Sequence, residues 1–195
     1  EKRGAHSREL ARQLGETCYQ FTSSHATGLA PDSVTFDQKG VPKASDPRYI
    51  LRPEIAESMY YLHLLDGNPK WREYGANIFE AIDTYCRTDE AYAQVRLMAT
   101  PPGYTKHKTA LRYGDTSSTM EAAGVGEEKT TKTRLADIKL VSHEDDMESF
   151  FLAETLKYLY LIQETEPGEV DLSRQVFNTE AHPLRIFSDE GFSDA

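Results

Sequence analysis

Carboxylates, aromatic rings and an oxygen-rich turn recur in three short segments of this sequence. The first carries Glu54 and Glu57, the second carries Phe150 and Glu154, and the third contains Thr179. Carboxylates accept hydrogen bonds from sugar hydroxyls, and an aromatic ring can lie against the apolar face of a pyranose. Hard cations such as Ca²⁺ bind oxygen ligands. A sugar-binding site with a cation site beside it would use these residue types, although each segment alone is also typical of an ordinary helix face or turn.

The first segment combines a helix start with a pair of carboxylates. Glu54 and Glu57 lie three residues apart, which places both on one face of a helix. Pro53 suits the first helical turn. Arg52, next to it, can keep a carboxylate ionised, as a general base requires. The same spacing is also typical of a solvated helix face with an ion pair, so both interpretations stay open.

The second segment places Phe150 and Glu154 four residues apart, on one face of a predicted helix. An alternative has Phe150 and Phe151 in the core, with Glu154 as a surface charge. Tyr158 and Tyr160 are predicted to be packing residues.

The third segment is a turn in which Thr179 supplies both a hydroxyl and a carbonyl oxygen. Those two oxygens, with water completing the shell, could bind Ca²⁺, although a lone threonine is also an ordinary turn residue. Glu180 follows directly. His182 is interpreted as a structural hydrogen-bonding residue, because no second histidine stands near it in sequence.

Composition restricts the classes of partner. The 195 residues carry a formal charge of −10, which argues against binding nucleic acid or an anionic membrane surface. Six histidines and two cysteines show no zinc-type spacing. No apolar run approaches the roughly 20 residues needed to cross a bilayer. Residues 1–4, three of which are charged, lack the apolar stretch of a signal peptide.

The apolar pattern predicts three helices before the middle of the chain, at residues 5–26, at about 53–66 and from Pro69 onwards. Residues 28–49 are predicted to form a long polar loop. Gly67-Asn68-Pro69 should end one helix and begin the next, which gives an antiparallel helix hairpin. The third helix is indicated by apolar residues at spacings of three and four: Trp71, Tyr74, Ile78, Ile82 and Tyr85.

The second half of the chain is less regular. Residues 94–143 are rich in polar and turn-forming residues and are interpreted as an insertion. A helix is predicted from about Glu144 to about Glu164, with Ser142 as its cap. The stretch from Gln175 to Phe187 should form a short strand or a hairpin.

The three segments, in this order, resemble a known family. Residues 51–58, 147–158 and 177–184 are similar to motifs of the class I α-1,2-mannosidases, glycoside hydrolase family 47. Residues 16–20 and 27–32 look like the segment that precedes the Leu-Arg-Pro-Glu motif in that family. The similarity extends from about Glu9 to Phe187.

The resemblance implies an all-α fold, a barrel of paired helices, with a C-terminal β-hairpin that reaches into the barrel and carries a calcium site. It implies an inverting hydrolase that removes α-1,2-linked mannose from oligomannose N-glycans. Such enzymes act in the endoplasmic reticulum or Golgi lumen, or are secreted.

The resemblance also implies residue roles. Glu54 is similar to the general base, and Asp32 stands where the family usually has a glutamate of the active-site set. Thr179 resembles the residue that gives its hydroxyl and carbonyl oxygens to Ca²⁺. The remaining site residues resemble those that bind the glycan or the calcium-bound waters: Arg52, Phe150, Glu57, Glu154 and Glu180.

Residues 1–195 resemble only the C-terminal part of a single catalytic domain, and residues 94–143 are longer than the family's usual connection. The upstream part, which carries the proposed general acid, is therefore the expected partner, supplied by another polypeptide or lost by truncation. Cys18 matches a cysteine that bonds to that upstream part. A reduced Cys18 and a Cys18–Cys86 bridge remain alternatives.

A different class of function is a mannosidase-like factor that binds glycans in glycoprotein quality control with little turnover. Ala181-His182-Pro183 favours the processing enzymes, because the quality-control relatives tend to have glycine there. A third reading is a fragment with no independent fold.

Overall fold

A computed structural model describes residues 2–100, 139–164 and 170–187, with side chains from Gly4 onwards. Helices form most of its ordered structure: α1 Lys2–Ser23, α2 Glu54–Asp66, α3 Pro69–Tyr85 and α4 Leu156–Leu161, the last preceded by a π-helical turn at Phe151–Thr155. Seven short strands complete these ranges: β1 Ser33–Phe36, β2 Pro42–Asp46, β3 Arg48–Tyr49, β4 Val95–Leu97, β5 Val141–His143, β6 Gln175–Phe177 and β7 Pro183–Arg185.

The predicted hairpin of α2 and α3 is confirmed, together with the residues that form its turn. Gly67 adopts φ 64°, and its N–H donates to the His63 carbonyl. The Asn68 side chain accepts a hydrogen bond from the Lys70 N–H, and Pro69 is the first residue of α3. A left-handed glycine ends one helix and an asparagine caps the next, so these local signals determine the turn.

Helix α1 packs on this hairpin through a close approach at Gly15 and through polar contacts that include one at Asp66. A Cβ atom added at Gly15 would lie 2.2 Å from Leu62 Cδ1, so a side chain at residue 15 would have to displace Leu62 where α1 approaches α2. Arg12 Nε donates to Asp66 Oδ2 at 2.8 Å, and Trp71 Nε1 donates to Asp66 Oδ1 at 3.0 Å. Trp71 is fully buried below this junction.

The prediction of a polar loop at residues 28–49 was wrong in part, because this segment contains the antiparallel hairpin of β1 and β2, followed by β3. Asp37 nucleates the turn of that hairpin, since its Oδ1 accepts hydrogen bonds from the Lys39 and Val41 N–H groups. The side chains of β1 and β2 are mostly exposed, so no alternation of apolar residues revealed the strands.

The helix predicted from about Glu144 was also wrong at its start. Ser142 lies opposite Arg96 in the β4–β5 ladder and therefore does not cap a helix. The Glu144 N–H donates to the Gln94 carbonyl, and the Gln94 N–H donates to the Asp146 carbonyl. Helical structure begins only near Phe150, because the backbone groups of Glu144 and Asp146 form hydrogen bonds with Gln94 instead of with a helix.

The β4–β5 pairing also bears on the predicted insertion at 94–143. Strand β4 lies at the start of this insertion and strand β5 at its end. Leu97 pairs with Val141, so the chain leaves and returns at the same end of a three-stranded sheet, β3-β4-β5. Residues 101–138 lie outside the described residues. The predicted C-terminal hairpin is present as β6 paired with β7.

Candidate active site

Arg52 joins two of the predicted site carboxylates. Its Nε donates to Asp32 Oδ1 at 2.6 Å, and its Nη1 lies 3.7 Å from Glu54 Oε1. The hydrogen bond to Asp32 raises the pKa of Arg52, so the guanidinium stays protonated. The Asp32 side chain is only 16% exposed, whereas that of Glu54 is 63% exposed. Arg52 therefore holds a sheltered carboxylate on one side and faces a solvent-accessible one on the other.

A cavity of about 410 Å³ opens beside this network. Asp32, Arg52 and Glu54 line it together with apolar residues such as Leu29 and Ile78. The other predicted site residues do not line it. The predicted site thus comprises a mostly apolar cavity and an acidic cluster, and Glu54 belongs to both.

The acidic cluster brings together Glu54, Glu57, Glu154 and Glu180. Partial burial of Glu154 raises its pKa, and the negative charges of Glu57, Glu180 and Glu54 raise it further. These residues come from α2, from the π-helical turn and from the turn between β6 and β7. Tertiary structure therefore collects the carboxylates of all three sequence segments at one place.

Thr179 lies in the turn that joins β6 to β7. The Asn178 side chain builds this turn, because its Oδ1 accepts hydrogen bonds from the Glu180 N–H at 3.0 Å and the His182 N–H at 2.8 Å. Thr179 is exposed, and within the described ranges neither its hydroxyl nor its carbonyl oxygen is engaged in a hydrogen bond. Two oxygens of one residue are therefore free to bind a ligand.

The oxygen donors present fit a hard cation. Hydroxyl, carbonyl and carboxylate oxygens are the ligands that Ca²⁺ takes, with water completing the shell. Among residues 2–100, 139–164 and 170–187, no three histidine, cysteine or acidic side chains converge tightly enough to hold a metal by themselves. Thr179 could supply two of these oxygens directly, and the nearby carboxylates could bind water molecules of the shell.

The two adjacent phenylalanines separate in the structure. Phe151 is fully buried, and its ring centroid lies 5.1 Å from that of Tyr92. Phe150 is half-buried at the start of the π-helical turn. The core interpretation therefore holds for Phe151, and Phe150 keeps a surface for a ligand.

Two residues near the site were missed by sequence reasoning. Tyr158 is buried, and its hydroxyl donates to Glu57 Oε1 at 3.2 Å. Burial and the charge of Glu57 raise the pKa of Tyr158. Glu148 is close enough to Arg52 for its charge to raise the pKa of that guanidinium. Tyr158 follows Glu154 by four residues, so helical spacing alone could have placed it on the same face.

Both cysteines are free, so the alternative of a Cys18–Cys86 bridge is not observed. Burial raises the pKa of the Cys86 thiol to about 12 and also raises that of Cys18. Thiols that stay protonated at neutral pH are poor nucleophiles, so neither cysteine is a candidate for covalent catalysis.

The sequence model of glycosyl hydrolase family 47 matches residues 1–110 and 117–186. The chain belongs to glycosyl hydrolase family 47. The unmatched residues 111–116 fall inside the predicted insertion.

Curated relatives are similar over nearly the whole of this family 47 chain. Human mannosyl-oligosaccharide 1,2-alpha-mannosidase IC is 33% identical over 189 residues, which cover 95% of the chain and 24% of that protein. The human endoplasmic reticulum mannosyl-oligosaccharide 1,2-alpha-mannosidase is 32% identical, over 92% of the chain and 22% of that protein. The chain therefore spans about a quarter of the length of these relatives.

A solved structure agrees with this family assignment. The alpha-1,2-mannosidase from Trichoderma reesei superposes with a TM-score of 0.60 and 26% identity, covering 89% of this chain and 33% of that enzyme. The family 47 chain thus has the fold of one segment of a mannosidase. Within the described residues, none of the helices is long and apolar enough to cross a membrane.

Replacing Tyr158 by Phe in the family 47 chain is expected to lower the free energy of unfolding by about 1.5 kcal/mol, because the buried hydroxyl donates to a charged carboxylate. Chemical denaturation at pH 7 measures this. Tyr160→Phe is the matched control, since Tyr160 lies on the same helix and is 67% exposed. Equal effects of the two substitutions would show that the Tyr158 hydroxyl does not stabilise Glu57.

Replacing Glu154 by Gln is expected to stabilise the metal-free chain at pH 7 by roughly 0.3 kcal/mol or more, the size of a like-charge repulsion. The raised pKa of Glu154 means that the folded state binds more protons than the unfolded state above pH 4.5. The contribution of Glu154 to wild-type stability therefore falls as pH rises from 4.5 through its folded-state pKa.

Thermal unfolding in a chelator, at pH 4 and pH 7, tests this prediction for Glu154. The stabilising effect of Glu154→Gln should disappear at pH 4, where the wild-type carboxyl is protonated. Glu90→Gln, on an exposed loop, controls for the change in net charge. A Glu154→Gln variant less stable than the wild-type chain at pH 7 would contradict the repulsion.

Proposed function

We propose that this chain contributes the general base and the calcium site to an inverting, calcium-dependent hydrolysis of terminal α-1,2-linked mannose from oligomannose N-glycans. The observation that carries the proposal is the acidic cluster beside the free oxygens of Thr179, in a chain of family 47. The relatives named above are mannosyl-oligosaccharide 1,2-alpha-mannosidases, which supports the choice of substrate.

Glu54 is the proposed base. Its carboxylate is exposed, so water can reach it, and Arg52 places a positive charge 3.7 Å away. In the proposed reaction Glu54 takes a proton from a water molecule, which attacks the anomeric carbon from the face opposite the leaving group. Inverting enzymes keep their two catalytic carboxyls roughly 6.5–9.5 Å apart to leave room for that water. Asp32 would keep Arg52 in place beside Glu54 and belong to the same catalytic set.

The proposed glycan contacts come from Arg52, Phe150, Glu57 and Glu154. The half-buried ring of Phe150 would lie against the apolar face of mannose, while the carboxylates accept hydrogen bonds from its hydroxyls. Tyr158 orients Glu57 for this role through the hydrogen bond to Oε1.

Thr179 is the proposed direct ligand of Ca²⁺, and Glu180 the proposed partner of a calcium-bound water. A bound Ca²⁺ would bind the ring hydroxyls and favour a distorted sugar ring. The neighbouring carboxylates would balance the charge of the ion. His182 Nδ1 lies 3.8 Å from Glu180 Oε2, and we propose a structural role for His182 in the turn.

The rest of the proposed catalytic domain is an upstream part that completes a barrel of helix pairs, with residues 1–195 as its C-terminal portion and the β6–β7 hairpin inside it. Several large apolar side chains are exposed, and this supports the proposal because exposed apolar surface normally packs against another part of a protein. The exposed fractions are 60% for Leu152, 67% for Tyr160 and 79% for Phe187. A disulfide from Cys18 would tie the two parts together in the lumen of the secretory pathway.

The test is to incubate the purified chain with an oligomannose glycan and Ca²⁺, with and without a chelator, and to measure released mannose. The assay is repeated with a chimera in which this chain replaces the matching segment of the Trichoderma reesei enzyme. We expect no release by the chain alone and chelator-sensitive release by the chimera. Mannose release by the chain alone would disprove the proposal that the general acid lies on the upstream part. Glycan binding without mannose release by the chimera would instead support a quality-control lectin.

A further inference from the structure

Two residues of the chain adopt backbone conformations that side chains normally avoid. Leu51 has φ 64° and Ala181 has φ 57°, and within the described ranges they are the non-glycine residues with positive φ. Left-handed backbone is unfavourable for residues with a Cβ atom and persists only where the surrounding structure holds it. Both residues are buried, at 0% and 1% exposure.

Both strained residues adjoin the candidate site. Leu51 directly precedes Arg52, so its φ angle determines how Arg52 and the start of α2 leave the core. Ala181 follows Thr179 by two residues in the β6–β7 turn. Each left-handed residue therefore sets the direction of a segment that carries a proposed site residue.

One short helical segment supplies a hydrogen bond to each of them. Thr155 Oγ1 donates to the Leu51 carbonyl at 2.6 Å, and Lys157 Nζ donates to the Ala181 carbonyl at 2.8 Å. Thr155 is fully buried. A helical threonine often returns its hydroxyl to a carbonyl of its own helix, but this one crosses 104 residues of chain to Leu51 instead. Without these donors, carbonyls of two buried residues would lose a partner.

We propose that Thr155 and Lys157 are positioning residues, which hold Leu51 and Ala181 in the left-handed conformation and thereby fix the Glu54 segment and the Thr179 turn relative to each other. The proposal rests on the proposed function only for the roles of Glu54 and Thr179. We call these two hydrogen bonds the clamp. Thr155, the last residue of the π-helical turn, donates one of them, and Lys157, in the first turn of α4, donates the other.

Amide hydrogen exchange of the metal-free chain tests the clamp at Ala181. Lys157→Met keeps the alkyl stem and removes the donor, and should raise the exchange of the Glu180, Ala181 and His182 amides about tenfold. Lys157→Arg, which keeps a donor, should restore most of the protection. The Lys39 and Val41 amides are the internal control, because Asp37 binds them as Asn178 binds those of the β6–β7 turn.

The same measurement tests the clamp at Leu51. Thr155→Val removes the hydroxyl at nearly constant volume and should raise the exchange of amides at the start of α2, such as that of Glu57, whereas Thr155→Ser should not. Unchanged exchange in Lys157→Met and Thr155→Val would overturn the proposal, as would equal increases at the Lys39 and Val41 turn. Neither calcium nor glycan is needed, so a failed mannosidase assay would disprove the proposed function without affecting this result.

Discussion

Replacing Glu54 by Gln is expected to reduce mannose release by about 10²–10⁴-fold, the usual contribution of a general base. Gln keeps the shape of the side chain but cannot take the proton from the attacking water. The proposed substrate contacts from Phe150, Glu57 and Glu154 would be retained, so kcat should fall while KM changes little. The chimera with the Trichoderma reesei enzyme supplies the assay, with released mannose measured against glycan concentration.

Glu90→Gln is the matched control for Glu54→Gln, because both remove one exposed carboxylate and Glu90 lies outside the candidate site. Thermal unfolding of both variants checks that the fold is kept. A Glu54→Gln chimera that releases mannose at near the unmodified rate would remove Glu54 as the base. Asp32 would then be the next carboxylate to test, since Arg52 joins it to Glu54.

Calcium is expected to stabilise the chain by about 2.7 kcal/mol at a concentration 100 times its Kd, because the proposed calcium site exists only in the folded state. For a protein of this size that corresponds to a rise in Tm of roughly 5–10 °C. Burial and then charge repulsion within the acidic cluster raise the pKa of Glu154, and the bound ion would relieve the repulsion. Differential scanning calorimetry in a chelator and in a calcium series measures the effect.

The Thr179→Val variant distinguishes calcium binding by the Thr179 hydroxyl from a general effect of calcium on the charged chain. It removes the hydroxyl and keeps the carbonyl, and should raise the calcium concentration needed for half of the stabilisation by at least about tenfold. Thr35→Val, at an exposed position in strand β1, is the control. If both variants respond to calcium like the unmodified chain, Thr179 is not a ligand, and an unmodified chain insensitive to calcium would exclude the site altogether.

Local signals were sufficient where neighbours in sequence are also neighbours in space. The α2–α3 hairpin follows from Gly67, Asn68 and Pro69, because a left-handed glycine, a capping side chain and a first-turn proline act within a few residues. The turn at Asp37 is equally local, but the exposed strands around it carry no apolar alternation, so the sequence did not reveal them.

The start of the last helix shows where such signals fail. A polar segment after Ser142 looks like a helix start, yet β5 pairs with β4 and the Glu144 N–H bonds to the Gln94 carbonyl. Pairing with a segment some 45 residues away cannot be read from local propensity. Once the backbone groups of residues 141–146 are used in this way, the helix can begin only near Phe150.

The sequence by itself determined the family, the helix hairpin and the identity of the candidate site residues, since these depend on residue type and on spacing along the chain. Only the tertiary structure decided which of them meet. It placed Glu154 among carboxylates from two other elements, gave Glu57 a donor in Tyr158, and bound the Leu51 and Ala181 carbonyls to Thr155 and Lys157. Such contacts join residues 24 to 104 positions apart, and their energies depend on burial and on charges that no local pattern contains.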